Sequence, residues 1–279
     1  MRFLIALLFI PFFISCQKDE TDKPTEIMTV VSRITNEDDH GNLTITEFKY
    51  NGNLLEEVIE ETINEISSSY RKLKYIRKDN SSQLLEVRAY YNQWEGLDNF
   101  DIMVPLYNAN NEIIRIYTKE IYSYREIRSD YVWNEGRLVF HSANNDTLSF
   151  SYENGNLKNY SHYLAGDESR YSSYKFEYNT NLLNWHTYVP LEYSLFSNPR
   201  VANGYLFCKN VLKKYVIYDR WQSWGYTGEQ LTTYDYEYIT ENGLITNFNA
   251  IGTIKDIPSG TNAGPYTYTT TIEYVDIEY

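Results

Sequence analysis

The chain has 279 residues, with 25 Lys and Arg against 38 Asp and Glu, for a net charge of −13. An acidic surface of this kind is repelled by phosphate backbones, which argues against nucleic acid as a partner. With only 2 cysteines, Cys16 and Cys208, the fold does not rest on a disulfide framework.

In chain order, Arg2 precedes an apolar run from Phe3 to Ile14. A bilayer-spanning helix needs roughly 20 apolar residues, so this run is too short to cross. It has the length and basic start of a secretory leader and ends at the small residue Ser15. Cys16 follows at once, and then Gln17-Lys18-Asp19-Glu20. These residues resemble a bacterial lipoprotein signal, with Phe13 standing where Leu is usual. The resemblance implies that residues 1–15 are removed and that Cys16 is lipidated as the new N-terminus. Gln17 to Glu20 is similar to the surface-export tag of Bacteroides-type lipoproteins. The implied location is the outer membrane, lipid-anchored and exposed at the cell surface. Each buried CH₂ of an acyl chain contributes about 0.8 kcal/mol, so multiple chains would hold the protein firmly. Residues 16–26 are polar and read as a lipidated Cys on a flexible tether. Residues 27–279 form the folded part, long enough for one large all-β domain or two smaller ones.

Tyrosine supplies 29 residues, and its placement is periodic. Phe48-Lys49-Tyr50 leads into Asn51-Gly52-Asn53-Leu54, and Phe150-Ser151-Tyr152 into Glu153-Asn154-Gly155-Asn156-Leu157. Phe176-Glu177-Tyr178, Tyr131-Val132-Trp133 and Tyr236-Glu237-Tyr238 open similar units. Weaker copies start at Tyr75 and Tyr107, and His40-Gly41-Asn42-Leu43 reads as the tail of a first one. Aromatics at i and i+2 share one face of a strand. The Asn/Gly stretch supplies a tight hairpin turn, and Leu begins the returning strand. Hairpins stacked side by side bury one shared core. The expectation is an all-β antiparallel meander of about 14 to 16 strands in a long twisted or barrel-like sheet. The gap between Tyr178 and Tyr238 is read as hiding a degenerate unit around Tyr215 to Tyr218.

Four segments depart from the rhythm. Leu54, Leu55, Val58, Ile59, Ile63 and Ile66 have helical spacing, but the repeat places a returning strand at Leu54, and a strand pair is favoured. Residues 190–210 read as a long excursion over the sheet edge. Gly252 to Pro265 reads as a loop before a last strand, Tyr266 to Tyr274. Tyr218-Asp219-Arg220-Trp221-Gln222-Ser223-Trp224-Gly225-Tyr226 reads as an aromatic loop. Flat rings beside polar groups suit sugar recognition, because rings stack on apolar sugar faces while side chains bond the hydroxyls. Tyr218, Asp219, Arg220, Trp221, Gln222, Trp224 and Tyr226 are therefore the candidate ligand-binding residues. Trp94, in Asn92-Gln93-Trp94-Glu95-Gly96, is a smaller loop of the same kind.

The repeated Tyr-x-Tyr…Gly-Asn-Leu pattern is similar to the YD (RHS-like) repeat. Together with the lipoprotein start and the ending Thr269-Thr270-Thr271-Ile272-Glu273-Tyr274, it resembles a domain-of-unknown-function family of Bacteroides surface lipoproteins. Asn51, Glu153 and Asn179 stand where the YD repeat has Asp. The resemblance implies an architecture and a location but no reaction.

Signatures of catalysis are scarce. His40, His141, His162 and His186 form no H-E-x-x-H pair, and no G-x-S-x-G elbow, phosphate-binding glycine loop or C-x-x-C occurs. Cys208 reads as a small buried hydrophobe. Asn36 to Asn42 lacks the twelfth-position Glu of a calcium loop and reads as a solvated acidic turn. No metal or cofactor is implied. The expected function is a non-catalytic surface lipoprotein acting as a binding or interaction module, with glycans or other outer-membrane proteins as candidate partners. A structural envelope scaffold is the alternative, and a glycan hydrolase, which needs two carboxylates across a cleft, is the third reading.

Overall fold

The computed structural model describes residues 27–78, 82–91, 100–121, 123–143, 146–164, 171–197, 208–223 and 226–278. Sixteen strands follow one another in it. They are β1 (Ile27–Asp38), β2 (Leu43–Asn51), β3 (Leu54–Ile63), β4 (Ser68–Arg77), β5 (Leu84–Tyr91), β6 (Asp101–Tyr107), β7 (Ile113–Lys119) and β8 (Glu126–Asn134). They continue as β9 (Arg137–Ala143), β10 (Asp146–Glu153), β11 (Asn156–Leu164), β12 (Tyr171–Leu183), β13 (Asn210–Ser223), β14 (Tyr226–Glu241), β15 (Leu244–Asp256) and β16 (Asn262–Glu278). Every strand pairs antiparallel with its sequence neighbour except β11 with β12, and β1 pairs with β16. The result is the expected meander, bent into a nearly closed barrel.

The repeat unit is a hairpin with a bulge. In β10–β11 the turn is Asn154-Gly155, both at positive φ (53° and 83°), the geometry that favours Asn-Gly. Tyr152 then pairs with Leu157 but Ser151 with Asn159, leaving Lys158 as the extra residue. The same shift recurs at Tyr50–Leu55, Tyr107–Ile113, Trp133–Leu138, Tyr178–Leu212 and Tyr274–Val31. Each bulge changes an alternating pattern into inward residues three apart. Leu55 and Val58 both point inward, as do Leu84 and Val87, and Ile113 and Ile116. This explains why Leu54 to Ile66 has helical spacing although Leu54–Ile63 is a strand.

At the turn end of each unit, neighbouring hairpins have parted and one side chain bridges the gap. Tyr50 donates to the Val31 carbonyl, Arg77 to Leu55, Trp133 to Ile113, Tyr152 to Leu138, Tyr178 to Leu157, Tyr238 to Leu212 and Tyr274 to Ile245. The Tyr107 hydroxyl instead accepts from the Leu84 N–H. These bonds span 2.6 to 3.2 Å and make a complete ring around one rim. Two expectations are corrected here. In the second unit the bulge pair is Arg77–Leu84, so Arg77, not Tyr75, holds the linking position. The first and last strands together form the eighth unit, with Tyr274 as its aromatic and Val31 as its leucine equivalent.

The long gap after Tyr178 also has a different cause. It holds no degenerate unit, because Tyr215 to Tyr218 lie mid-strand in β13, paired with β14. The gap is an insertion at the β12–β13 turn. It contains a 3₁₀ turn, Trp185–Tyr188, and a short helix α1, Leu191–Phe196. Its described part, residues 184–197, does not run over a sheet edge. Trp185, Val189, Leu195 and Phe196 are buried, with Leu195 2% and Phe196 0% exposed. Phe48 of β2 meets Tyr193 edge-on at 4.9 Å, and Tyr188 meets Tyr274 of β16 at 5.6 Å. The described part of the insertion therefore packs inside the barrel. Polar anchors fix it. Arg71 of β4 bonds both Glu60 and the Ser197 carbonyl, and Tyr193 donates to Glu60 at 2.9 Å. The stretch from Gly252 to Pro265 is also more ordered than expected, since β15 runs to Asp256 and β16 starts at Asn262.

Between β11 and β12 no backbone ladder forms among the described residues. The seam is closed by side chains. Asn156 and Asn210 exchange two hydrogen bonds, at 3.1 and 2.9 Å. The Leu157 N–H reaches the Cys208 sulfur at 3.2 Å. Cys208 is buried, and that burial pushes its thiol pKa up, so it packs as the expected small hydrophobe.

Candidate functional site

The surplus of aromatics lies largely on the inner wall. A file of rings crosses the seam from Phe150 and Tyr160 to Tyr174, Tyr215 and Tyr234. Tyr160 meets Tyr174 at 4.3 Å, Tyr174 lies 9° from parallel to Tyr215, and Tyr215 lies 19° from parallel to Tyr234. Such offset rings gain beyond their buried area. The last ring, Tyr234, leans over Gly252, where a Cβ would sit 2.8 Å from the ring.

Beside this file, between β13–β16 and the insertion, lies a cavity of about 530 Å³. That is within the range of small-ligand sites, roughly 300–1,000 Å³. Tyr215, Tyr234, Tyr236, Tyr238 and Phe248 make one wall, and Trp185 and His186 line its inner end. Hydrogen-bonding groups are interspersed, among them Asn36, Thr46, Asn210 and Thr270. The Thr270 hydroxyl donates to Asn36 at 2.7 Å, which fixes that amide. Among the described residues no Asp, Glu, Lys or Arg lines the cavity. His186 borders it, stacked on Trp185 at 3.7 Å, and enclosure by the barrel lowers its pKa to about 3, so it is neutral there. Burial likewise raises the hydroxyl pKa of Tyr238 well above the ordinary tyrosine range. The described residues of the site offer flat rings and neutral hydrogen-bonding groups.

Toward the rim opposite the tyrosine ring, a second hollow shares Tyr234 and Tyr268 with the cavity. Asp38, Asp39, His40, Thr232, Ile254 and Tyr266 line it. Asp38 accepts from the His40 and Asn42 N–H groups and from the Asn42 amide, so its carboxylate, pKa lowered, ties the β1–β2 turn. Among the described residues no cluster of His, Cys, Asp and Glu could hold a metal ion.

The residues singled out in the sequence fare differently. Cys16, Trp94 and Trp224 lie outside the described residues. Residues 218–223 and 226 are strand, not loop, because Tyr218 to Ser223 pair in register with Tyr226 to Leu231. The side chains of Trp221, Gln222 and Tyr226 are likewise outside the description. Tyr218 and Arg220 face outward and Asp219 inward, so the three do not converge. Asp219 accepts from Ser172, and Arg220 pairs with Glu229 at 3.5 Å. The residues missed are those of the ring file and the cavity wall. Their signal was the alternation Tyr234-x-Tyr236-x-Tyr238 beside Tyr266-x-Tyr268, which places many rings on one face.

The outer wall is mixed. Lys49 pairs with Glu57 at 2.8 Å, Arg115 with Asp130 at 2.5 Å and Lys214 with Asp235 at 3.4 Å, all across neighbouring strands. Exposed apolar side chains, among them Leu85, Val104, Leu106, Val132 and Ile239, lie on the same strands.

No protein-family model and no curated protein matches this chain. Among solved structures, it is similar to the crystal structure of a porin-like protein from Bacteroides uniformis ATCC 8492, with a TM-score of 0.58 and 14% identity. The match covers 87% of this chain and 96% of that one, and shows a common barrel fold.

Proposed function

We propose that this chain is a non-catalytic, lipid-anchored envelope protein whose barrel binds an uncharged, ring-containing ligand of the glycan class. The observation that carries this reading is the cavity lined by tyrosines and neutral hydrogen-bonding groups, with no charged side chain among the described residues. Aromatic faces suit the apolar faces of sugar rings, and Asn, Thr and Ser suit their hydroxyls. A glycosidase would need two carboxylates flanking the ligand, and the described residues of the cavity lining supply none.

The resemblance at Cys16 supports placement at the outer membrane through acyl chains. Ile27, the first described residue, is at the rim of the tyrosine ring, and the hollow beside Asp38 to His40 is at the opposite rim. An anchor on the Ile27 side therefore turns that hollow away from the membrane. The paired ends of β13 and β14, Gln222 with Thr227 and Ser223 with Tyr226, belong to the same rim as that hollow and are the proposed outer contact.

The test is a screen of the purified mature chain on a neutral glycan array, followed by calorimetry. Tyr236→Ala and Tyr215→Ala should each weaken binding about ten-fold while the far-ultraviolet spectrum stays that of a β protein. Absence of binding to every neutral glycan would leave the scaffold reading.

A further inference from the structure

The repeat supplies its own comparison. In each unit the residue just before the linking side chain stands on the outer wall, near the rim of the tyrosine ring. In most units it is polar: Lys49 before Tyr50, Ser151 before Tyr152, Glu177 before Tyr178, Glu237 before Tyr238 and Glu273 before Tyr274. In the adjoining hairpins β4–β5, β6–β7 and β8–β9 it is Ile76, Leu106 and Val132. Leu106 and Val132 are 45% and 50% exposed, and Leu85 and Val104 nearby are 50% and 40% exposed. The hairpin does not require an apolar residue there, because the other units close with charged or hydroxyl ones. An exposed apolar patch confined to one side of a wall marks a contact surface.

Toward the opposite rim the same strands turn basic and aromatic. Lys74 of β4 stands directly opposite Arg88 of β5, and like charges so placed repel. The Lys72 and Lys74 ammonium groups lie 5.8 and 6.0 Å from the centre of the Tyr90 ring, and the Arg88 guanidinium 4.8 Å from that of Phe100. Lys119 is exposed on β7, and Tyr117, also exposed, pairs with the exposed Arg128 of β8. Among the described residues the acids on this face are fewer. Glu86 holds Arg88 at 2.5 Å, Asp130 is shared by Arg115 and Arg128 at 2.5 and 2.7 Å, and Glu126 faces Lys119. The face is therefore locally positive on a chain of net charge −13.

Apolar side chains, then rings and cations, follow the order in which a bilayer presents acyl chains, interface and anionic head groups. Ile27, 65% exposed, is at the same rim as the apolar patch. Residues 16–26 lie between it and Cys16, a stretch that reaches at most about 35–40 Å. We propose that the outer face of β4–β8 beside the tyrosine rim is a membrane-contact surface on which the anchored barrel leans. Leu85, Leu106 and Val132 meet the acyl boundary, and Lys74, Lys119 and Arg128 meet the head-group phosphates. This rests on the anchor reading for its orientation and goes beyond it by naming the wall that faces the bilayer.

The experiment is vesicle sedimentation with the mature Cys16→Ala chain, so that no acyl chain contributes. Vesicles of phosphatidylethanolamine with phosphatidylglycerol should bind it in a manner that salt weakens, and vesicles of phosphatidylcholine at least about ten-fold more weakly. Leu106→Ser with Val132→Ser copies the Ser151 of β10 and should lower partitioning about ten-fold, as should Lys74→Gln with Lys119→Gln. Lys158→Gln, on β11, should leave it unchanged. Cys208 is buried, so a polarity-sensitive label can be placed on Leu106→Cys or Ser151→Cys alone. The first label should shift to the blue with vesicles and the second should not. No binding to the anionic vesicles, an equal loss with Lys158→Gln, or equal shifts of the two labels overturns the membrane face. The anchor is read separately, by fatty-acid labelling of the wild-type chain. A dimer seen by light scattering without vesicles, and abolished by Leu106→Ser with Val132→Ser, assigns the patch to a second copy and also overturns the proposal.

Discussion

The Tyr152 hydroxyl donates to the Leu138 carbonyl at 2.9 Å, beyond the point where the β9–β10 ladder has stopped at Phe140 and Ser149. A carbonyl left bare in a partly buried place costs free energy, and the phenol supplies the bond the ladder no longer can. This is why the repeat favours Tyr over Phe at that position, and why Trp133, with its indole N–H, can substitute. Tyr152→Phe should therefore destabilise by about 1 kcal/mol, read as a lower urea midpoint with unchanged slope. At Gly155 a side chain would face both a left-handed backbone and Lys209 at 3.1 Å, whereas at Gly136 nothing lies nearby. Gly155→Ala should thus cost more than Gly136→Ala, although both pay about 1 kcal/mol for φ. His186 gives a pH signature. Its folded pKa is lowered to about 3 from 6.5, so the unfolded chain takes a proton that the native state refuses. Its contribution is present above pH 6.5 and lost as pH falls from there toward 3. The urea midpoint should drop on acidification through that window, and His186→Phe should flatten the drop.

At the scale of elements, the hairpins were legible because their turn chemistry and paired aromatics are local. Asn154-Gly155 announces a turn, and Phe150 with Tyr152 announces a strand face. The bulge was less legible, since an extra residue such as Glu56 or Lys158 makes a strand imitate helical spacing. Its cue was the repeat itself, which placed Leu54 at a strand start. The insertion was not legible as an interior element. Its burial depends on Glu60 and Arg71, which come from distant strands and look like surface charges in sequence. The ring file was hidden for the same reason: Tyr174, Tyr215 and Tyr234 become neighbours only when β12, β13 and β14 pair. The importance of the insertion can be measured. Arg71→Met leaves the half-buried Glu60 beside Tyr193 without its cation and should cost about 1–2 kcal/mol, while Arg71→Met with Glu60→Leu should recover much of it. A double variant as unstable as the single one would mean that the ion pair does not hold α1.

For the whole molecule, the barrel fold carries an outer wall on which ion pairs and exposed apolar side chains are mixed. Cross-strand pairs such as Arg115–Asp130 and Lys49–Glu57 occupy outward positions within the strands. An Arg or Lys on a lipid-facing strand costs about 2–4 kcal/mol at the bilayer midplane, and this wall carries several. The interior, in contrast, holds the apolar core and the buried insertion. If these charges keep the barrel out of lipid, an added anchor holds it at a membrane, and Cys16 is the residue proposed to provide it. Cys16→Ala, expressed without its leader, should therefore yield a folded protein soluble in detergent-free buffer, with the β spectrum and glycan affinity of the lipidated form. The wild-type chain should partition into detergent and take up a fatty-acid label that the variant lacks. If the variant instead requires detergent to remain dispersed, the ion pairs on the wall do not keep the barrel out of lipid, and the anchored orientation with an outward hollow fails with it.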